Sequence, residues 1–189
     1  MASVPTSRVY VAEDLDTLPD GDRYEIIDGE LKERIMSSLS SKIASNLVGL
    51  LWIWARANQP GHIMGSDGGY TIFPWTSGDL RMPDVSYISS TRVKKFPPRE
   101  WLDIPPDLAV EVVSPTDLAA NVQKKALDYV RAGVPLVWVV FPETRTVEVF
   151  GSAAATRQLL HEADTLTGED VLPGFSVPVA ELFAGLDDE

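Results

Sequence analysis

The chain has 189 residues, of which 44% are hydrophobic and 23% are charged. This is enough apolar material for one folded domain over residues 1–189 and too much for a disordered chain. The absence of Cys excludes disulfide frameworks, thiolate metal sites and cysteine nucleophiles, and indicates a cytoplasmic location. The apolar runs are too short for a membrane span, and the N-terminus lacks the pattern of a signal peptide.

The charge distribution bears on the type of partner. A net charge of −12, from 16 Lys and Arg against 28 Asp and Glu, argues at first against a nucleic-acid partner. However, residues 13–30 and 162–189 each hold eight of the acids, which leaves 14 basic and 12 acidic residues at positions 31–161. The middle of the chain is therefore slightly basic and compatible with a polyanion.

The first third of the chain predicts a hairpin and a long helix. Asp28-Gly29 lies between two short apolar segments, which is a strong hairpin signal. The apolar residues of Ser37–Gln59 recur at the helical period, and serines are available to cap its start. Tyr70–Pro74 then predicts a short strand.

The remainder predicts strands around a second helix. Apolar, β-branched segments predict strands, and the segment between Ser114 and Gly133 predicts a helix from about residue 117 to 132. The strand segments are Met82–Ser89, Leu108–Pro115, Leu136–Phe141 and Arg145–Phe150. This order predicts an α/β (α+β) fold with a central mixed sheet flanked by helices.

Two carboxylates lie inside predicted strands, where acids are rare and costly to bury unless they are paired or bind a metal. By strand alternation Asp84 shares a face with Ser86, and Glu111 shares a face with Ala109 and Val113. If the two strands are neighbours, Asp84 and Glu111 can lie side by side and bind a hard cation such as Mg²⁺. The alternative is an edge carboxylate bonded to an Arg or to a helix N-terminus.

Lys125 is a third candidate. On the predicted helix it lies at the flank of the apolar stripe that contains Leu118 and Tyr129, whereas Lys124 points away from that stripe. Beside two metal-binding carboxylates, Lys125 can orient a water or stabilise charge on an attacked phosphate. Alternatively, it is a surface lysine whose stem packs on apolar neighbours.

The candidate residues and their spacing are similar to those of a known protein superfamily. Pro83-Asp84, Glu111 in an apolar strand, and a helix with Lys125 and Tyr129 in Lys-x-x-x-Tyr spacing resemble the PD-(D/E)XK nuclease superfamily. More narrowly, the chain is similar to the Uma-two group of restriction endonucleases, through YEIIDGEL, MPDVSYIS, DLAVEVVSPTD, KKALDYVRAGVPLVWVVFPET and VLPGFSVPVAELF.

The resemblance implies a restriction-endonuclease-like core and assigns roles. It implies that Asp84 and Glu111 ligate Mg²⁺ or Mn²⁺. The superfamily's usual lysine position corresponds to Val113 here, and the Uma-two group instead has its lysine on the next helix, at Lys125. The group's acidic residue in a Gly-Glu turn corresponds to Glu30, although Glu30 and Glu25 can equally be exposed hairpin residues.

Other polar and aromatic residues support narrower expectations. A basic loop after the Asp84 strand can grip a phosphate backbone beside a metal site, or can simply be solvated; it contains Arg92, Lys94, Lys95 and Arg99. His62 and His161 are isolated, which argues against a zinc site. Trp52, Trp54 and Trp138 lie in apolar runs and are expected in the core.

The leading hypothesis is therefore a metal-dependent DNA endonuclease that acts through Asp84, Glu111 and Lys125. A nuclease-like fold that serves as a binding or regulatory module is the alternative favoured by the acidic net charge. A phosphatase or small-phosphodiester hydrolase could use the same site. A homodimer is expected by analogy with related nuclease folds.

Overall fold

The computed structural model describes residues 8–35, 37–76, 78–96, 101–115, 117–151 and 157–186. Its helices are α1 (Ala12–Leu15), α2 (Ser38–Ala57) and α3 (Ala119–Arg131), with short 3₁₀ turns at Gly21–Arg23 and Val179–Phe183. Its strands are β1 (Tyr24–Ile27), β2 (Glu30–Glu33), β3 (Gly61–Met64), β4 (Val85–Ser89), β5 (Leu108–Val112), β6 (Leu136–Phe141), β7 (Thr146–Gly151), β8 (Arg157–Leu160), β9 (Thr165–Gly168) and β10 (Leu172–Pro178).

A six-stranded mixed sheet forms the centre, in the order β3-β4-β5-β6-β7-β8. Strands β5 and β6 are parallel, and α3 makes the crossover that a parallel pair requires. Buried residues of α2, among them Leu47 and Leu51, pack on one face of the sheet, while Ala126 and Tyr129 of α3 pack on the other. The predicted fold class, a mixed sheet flanked by helices, is confirmed.

The predicted hairpin is confirmed in β1 and β2, which pair with Ile27 opposite Glu30. Asp28 and Gly29 both have positive φ, 54° and 76°, as a tight hairpin turn that matches strand twist requires. The Asp79 carboxylate accepts hydrogen bonds from the backbone N–H of Asp28 (3.0 Å) and of Gly29 (3.1 Å). A residue far along the chain thus holds the turn in place.

Helix α2 agrees with the predicted Ser37–Gln59 segment, and Ser37 caps it by accepting a hydrogen bond from the Ser40 N–H. The expectation of three core tryptophans holds for Trp54 and Trp138 but is wrong for Trp52, whose side chain is 53% exposed. Two residues along a helix rotate the side chain by about 200°, so Trp52 and Trp54 cannot share a face.

The strand predicted at Tyr70–Pro74 is wrong. Tyr70 makes only isolated bridges to Arg81 and Leu102, and Pro74 has no N–H for a ladder. Strand β3 was not predicted, because Gly61–Met64 is short, begins with Gly and shows no alternation. Among the helices within the described ranges, none is long and apolar enough to cross a membrane.

Candidate active site

Asp84 and Glu111 lie side by side because their strands are neighbours. β4 and β5 are antiparallel with Val85 opposite Val110, so Asp84, just before β4, falls beside Glu111 near the end of β5. The Asp84 Oδ2 atom accepts a hydrogen bond of 2.7 Å from the Val112 N–H. Burial raises the pKa of Asp84, against the opposing charge of Lys125. The condition on which the two carboxylates could lie side by side, that their strands are neighbours, is met.

The Glu111 carboxylate is buried and only partly satisfied. Its Oε2 atom accepts a hydrogen bond of 2.9 Å from Lys125 Nζ, whereas no described residue provides a hydrogen-bond donor for Oε1. The buried Tyr129 hydroxyl lies beside this carboxylate without forming a well-aligned hydrogen bond. Burial raises the pKa of Glu111, Lys125 lowers it, and nearby acids raise it further. This buried oxygen therefore lacks a partner, and a small cation that reached it would satisfy it.

Glu25 on β1 completes the environment of Lys125. Its Oε1 atom lies 3.0 Å from Lys125 Nζ and also accepts a hydrogen bond from the Met82 N–H. Glu25 is only 5% exposed, so the alternative that it is an exposed hairpin residue is wrong. The same signal that selected Asp84 and Glu111, an acid inside an apolar strand, is present in Tyr24–Ile27.

The side chains of the adjacent Lys124 and Lys125 point in different directions, as the helical geometry predicts. Lys125 is fixed between Glu25 and Glu111, at 3.0 Å and 2.9 Å. Lys124 was expected in solvent, but its half-exposed ammonium is ion-paired with Asp128 at 2.9 Å and with Asp28 at 3.2 Å. Lys124 therefore ties α3 to the hairpin turn at the edge of the cleft.

A buried arginine, which sequence reasoning missed, reinforces this link. Arg81 Nη2 lies 2.7 Å from Asp128 and 3.6 Å from Asp79, and its guanidinium covers the Phe73 ring at 4.4 Å. Because Asp79 also holds the hairpin turn, Arg81 joins that turn to α3. Burial acts to raise the pKa of Asp128, but Lys124 and Arg81 lower it, so Asp128 is charged in this network.

These elements enclose a cleft of about 500 Å³. Asp84, Glu111 and Lys125 meet within it, but Glu30 lies only at its rim. The Glu30 side chain is 71% exposed and pairs with Lys32 at 2.6 Å. The catalytic role of Glu30 stays a prediction, and Glu25 is the acidic hairpin residue that contacts Lys125.

The basic loop does not lie where it was expected. β4 begins beside Asp84 and ends at Ser89, so the residues after it leave from the opposite end of the strand. There Arg92 pairs with Asp107, just before β5, at 2.6 Å, and neither Lys94 nor Lys95 lines the cleft. The placement beside the candidate metal site is wrong. Nucleic-acid contact by the loop stays a prediction, and Arg99 lies outside the described residues.

The donor set fits a cation held by two carboxylates. Within the ranges that the structure describes, no group of three or more His, Cys, Asp or Glu side chains is arranged to hold a metal. Mg²⁺, however, is commonly bound through one or two carboxylates, with waters and substrate phosphate completing its shell. Adjacent Asp84 and Glu111, with the unpaired Glu111 Oε1, meet that requirement.

Comparison with known proteins places this arrangement in a family. The model of the family described as "Uma2: Putative restriction endonuclease" matches residues 12–180. The chain belongs to this Uma2 (Uma-two) family. The structure is also similar to that of a protein from Anabaena variabilis titled a putative nuclease belonging to DUF820, with a TM-score of 0.76 and 18% sequence identity. The match covers 92% of this chain and 97% of that one. No curated protein matches the sequence.

Proposed function

We propose that this Uma2 family member is a metal-dependent DNA endonuclease, acting as one nuclease-like domain. In this proposal Asp84 and Glu111 hold Mg²⁺ or Mn²⁺, and Lys125 assists hydrolysis of the phosphodiester. One observation carries the proposal: the buried Glu111 carboxylate and the partly buried Asp84 carboxylate are neighbours in a cleft with a lysine whose ammonium lies 2.9 Å from Glu111. A buried acid–lysine constellation of this kind is typical of a catalytic site.

The role of Lys125 follows from its surroundings. Burial acts to lower the pKa of this lysine, but Glu111, Glu25 and Asp84 raise it well above its usual value. Lys125 therefore remains an ammonium and cannot act as a general base. Instead, it supplies positive charge and N–H donors where negative charge develops on the phosphate. When bound, the metal would polarise the phosphate and activate the attacking water.

The cleft makes the proposed DNA binding dependent on the metal. Among the described residues that line it, seven are acidic and five are basic, so the metal-free cleft repels a phosphate backbone. A divalent cation held by Asp84 and Glu111 cancels that excess. We expect DNA to bind the cleft weakly in EDTA and more tightly in Ca²⁺, a hard cation that can occupy such a site.

The test is cleavage of plasmid and linear DNA in Mg²⁺, Mn²⁺ and EDTA, together with calorimetric titration of the metal. Cleavage in Mg²⁺ or Mn²⁺ that stops in EDTA supports the proposal. DNA binding with neither cleavage nor metal binding would identify a binding or regulatory module instead. The acidic cleft and the ion-paired Lys125 are the observations that favour this second function.

A matched pair of variants separates the two hairpin acids. We expect Glu25→Gln to lower turnover by about tenfold or more, because Lys125 loses one of its two charged partners. Glu30→Gln should keep turnover within about twofold, since an exposed ion pair such as Glu30–Lys32 contributes little. Single-turnover cleavage rates measure both. A larger loss for Glu30→Gln would restore Glu30 as the site residue.

The homodimer and the cytoplasmic location also remain proposals. Two active sites related by a two-fold axis would allow both DNA strands to be cut in one binding event. That arrangement is an analogy with other nuclease folds, not a property of the contacts described above.

A further inference from the structure

A second groove, of about 640 Å³, runs between the C-terminal half of α2 and the edge strand β3. Two exposed aromatic side chains line it: Trp52, 53% exposed, and Phe96, 37% exposed. Arg56 and His62 also line it. Large aromatic surfaces left in water beside a groove are typical of binding sites.

Each aromatic ring in this groove packs against a neighbouring side chain. The Arg56 guanidinium lies 4.6 Å from the centre of the Trp52 ring. His62 lies 5.1 Å from the Phe96 ring, and its Nε2 atom is 2.9 Å from the Val93 carbonyl oxygen. Ordered rings lose little conformational entropy when a planar ligand stacks on them.

The charge of this region contrasts with that of the whole protein. Residues 35–66, which include all of α2 and β3, contain no Asp or Glu, although the chain has 28 acids. None of the described residues that line the groove is acidic. The exposed Lys94 and Lys95 lie in the same segment as Val93 and Phe96, which contact His62. A cationic and aromatic surface is therefore concentrated on one edge of an acidic protein.

We propose that this groove binds single-stranded nucleic acid, with an unpaired base on Trp52 and phosphates near Arg56, Lys94 and Lys95. Base stacking on aromatic rings combined with a basic track is how proteins bind single strands without sequence preference. Duplex bases are already stacked and cannot reach Trp52. A second copy fits less well, because a two-fold contact would bring the same cations together.

The groove and the candidate active site are separate, and they lie near opposite ends of helix α2. Helix α2 starts near the cleft, which Ser40 lines, and reaches the groove at Arg56. At about 1.5 Å per residue, the two points lie roughly 24 Å apart along the helix axis. Binding in the groove does not require hydrolysis in the cleft, so the proposal is independent of the proposed function.

The test uses a fluorescein-labelled oligothymidylate in EDTA, followed by anisotropy and by quenching of tryptophan fluorescence. We expect Trp52→Ala to weaken binding by on the order of tenfold, as loss of one base–aromatic stack does, and Trp52→Phe to retain most of the affinity. The double variant Lys94→Ala/Lys95→Ala should reduce the salt slope by about 0.7 per lost phosphate contact. Arg157→Ala and Leu159→Ala, on the opposite edge strand β8, are controls expected to leave binding unchanged.

Several results would overturn the proposal. Affinity unchanged in Trp52→Ala, or equal Trp52-dependent binding of a duplex, would exclude stacking of unpaired bases. Oligothymidylate binding that tightens in Glu111→Gln, which removes a negative charge from the cleft, would place the strand in the cleft instead. A dimer that dissociates in Trp52→Ala, with no oligonucleotide binding, would identify the patch as a contact between copies. Oligouridylate measured in parallel distinguishes RNA from DNA as the preferred strand.

Discussion

Asp84→Asn and Glu111→Gln are each expected to lower Mg²⁺-dependent DNA cleavage by more than about a hundredfold, the loss typical when charge stabilisation at a reacting phosphate is removed. Each change keeps the side-chain shape and removes one negative charge from the proposed metal site. Metal affinity, measured by calorimetry, should fall together with turnover. Cleavage that persists in either variant would show that the carboxylate does not hold the metal.

The melting temperature of each variant in EDTA distinguishes a carboxylate that serves catalysis from one that stabilises the fold. The site holds Asp84, Glu111 and Glu25 around a single ammonium, so removal of one charge by Asp84→Asn or Glu111→Gln should leave the melting temperature equal or higher. Asp84→Ala is different, because it leaves the Val112 N–H without its acceptor. That loss lowers the free energy of unfolding by about 1–3 kcal/mol. Each kcal/mol corresponds to a fall of roughly 2–4 °C in melting temperature for a chain of this size. A large loss of stability in Asp84→Asn would contradict the assignment.

Much of the fold could be predicted because local signals were strong. Asp28-Gly29 readily adopts the positive φ values that a tight hairpin turn requires, and the period of Ser37–Gln59 identifies a helix whatever it packs against. Asp84 and Glu111 could be selected because a carboxylate inside an apolar strand is costly to bury unless a cation or hydrogen-bond donor pairs with it. The pairing of β4 and β5, which the sequence alone left as a condition, then brings them together.

The missed features depend on contacts that are distant in sequence. The hairpin folds back so that Asp79 holds its turn and Met82 contacts Glu25, and no local pattern encodes either contact. Burial of Arg81 depends on Asp128, another distant residue. The basic loop was misplaced for a simpler reason. Residues that follow a strand leave from its far end, so adjacency to Asp84 in sequence became separation in space.

Lys125→Ala is expected to lower turnover by about a hundredfold or more, because it removes a charged donor from the proposed phosphate site. It also leaves Glu25 and Glu111 buried without their cation. Breaking a buried ion pair from one side typically costs about 3–5 kcal/mol, so the melting temperature in EDTA should fall. Added Mg²⁺ should restore part of that loss by supplying another cation. Metal affinity should not weaken, because lysine is not a ligand and its charge repels the metal.

Lys124→Ala is the matched control on the same helix. The Lys124 side chain and its partner Asp28 are half-exposed, and Asp128 keeps Arg81 at 2.7 Å, so the loss should cost no more than about 1 kcal/mol. Turnover should stay within a few-fold of the parent protein. If Lys124→Ala were the damaging change and Lys125→Ala were mild, the assignment of Lys125 would be wrong.

A double variant tests whether the lysine can act from the strand instead of from helix α3. Val113 shares its strand face with Glu111 and precedes α3, so Val113→Lys combined with Lys125→Ala returns an ammonium to the same carboxylate from the strand. We expect it to recover part of the turnover that Lys125→Ala loses, because the reacting phosphate needs a positive charge near Glu111 rather than a particular backbone position. Recovery of the melting temperature in EDTA without recovery of cleavage would show that Lys125 only neutralises buried charge. Recovery of both would assign it a role at the phosphate.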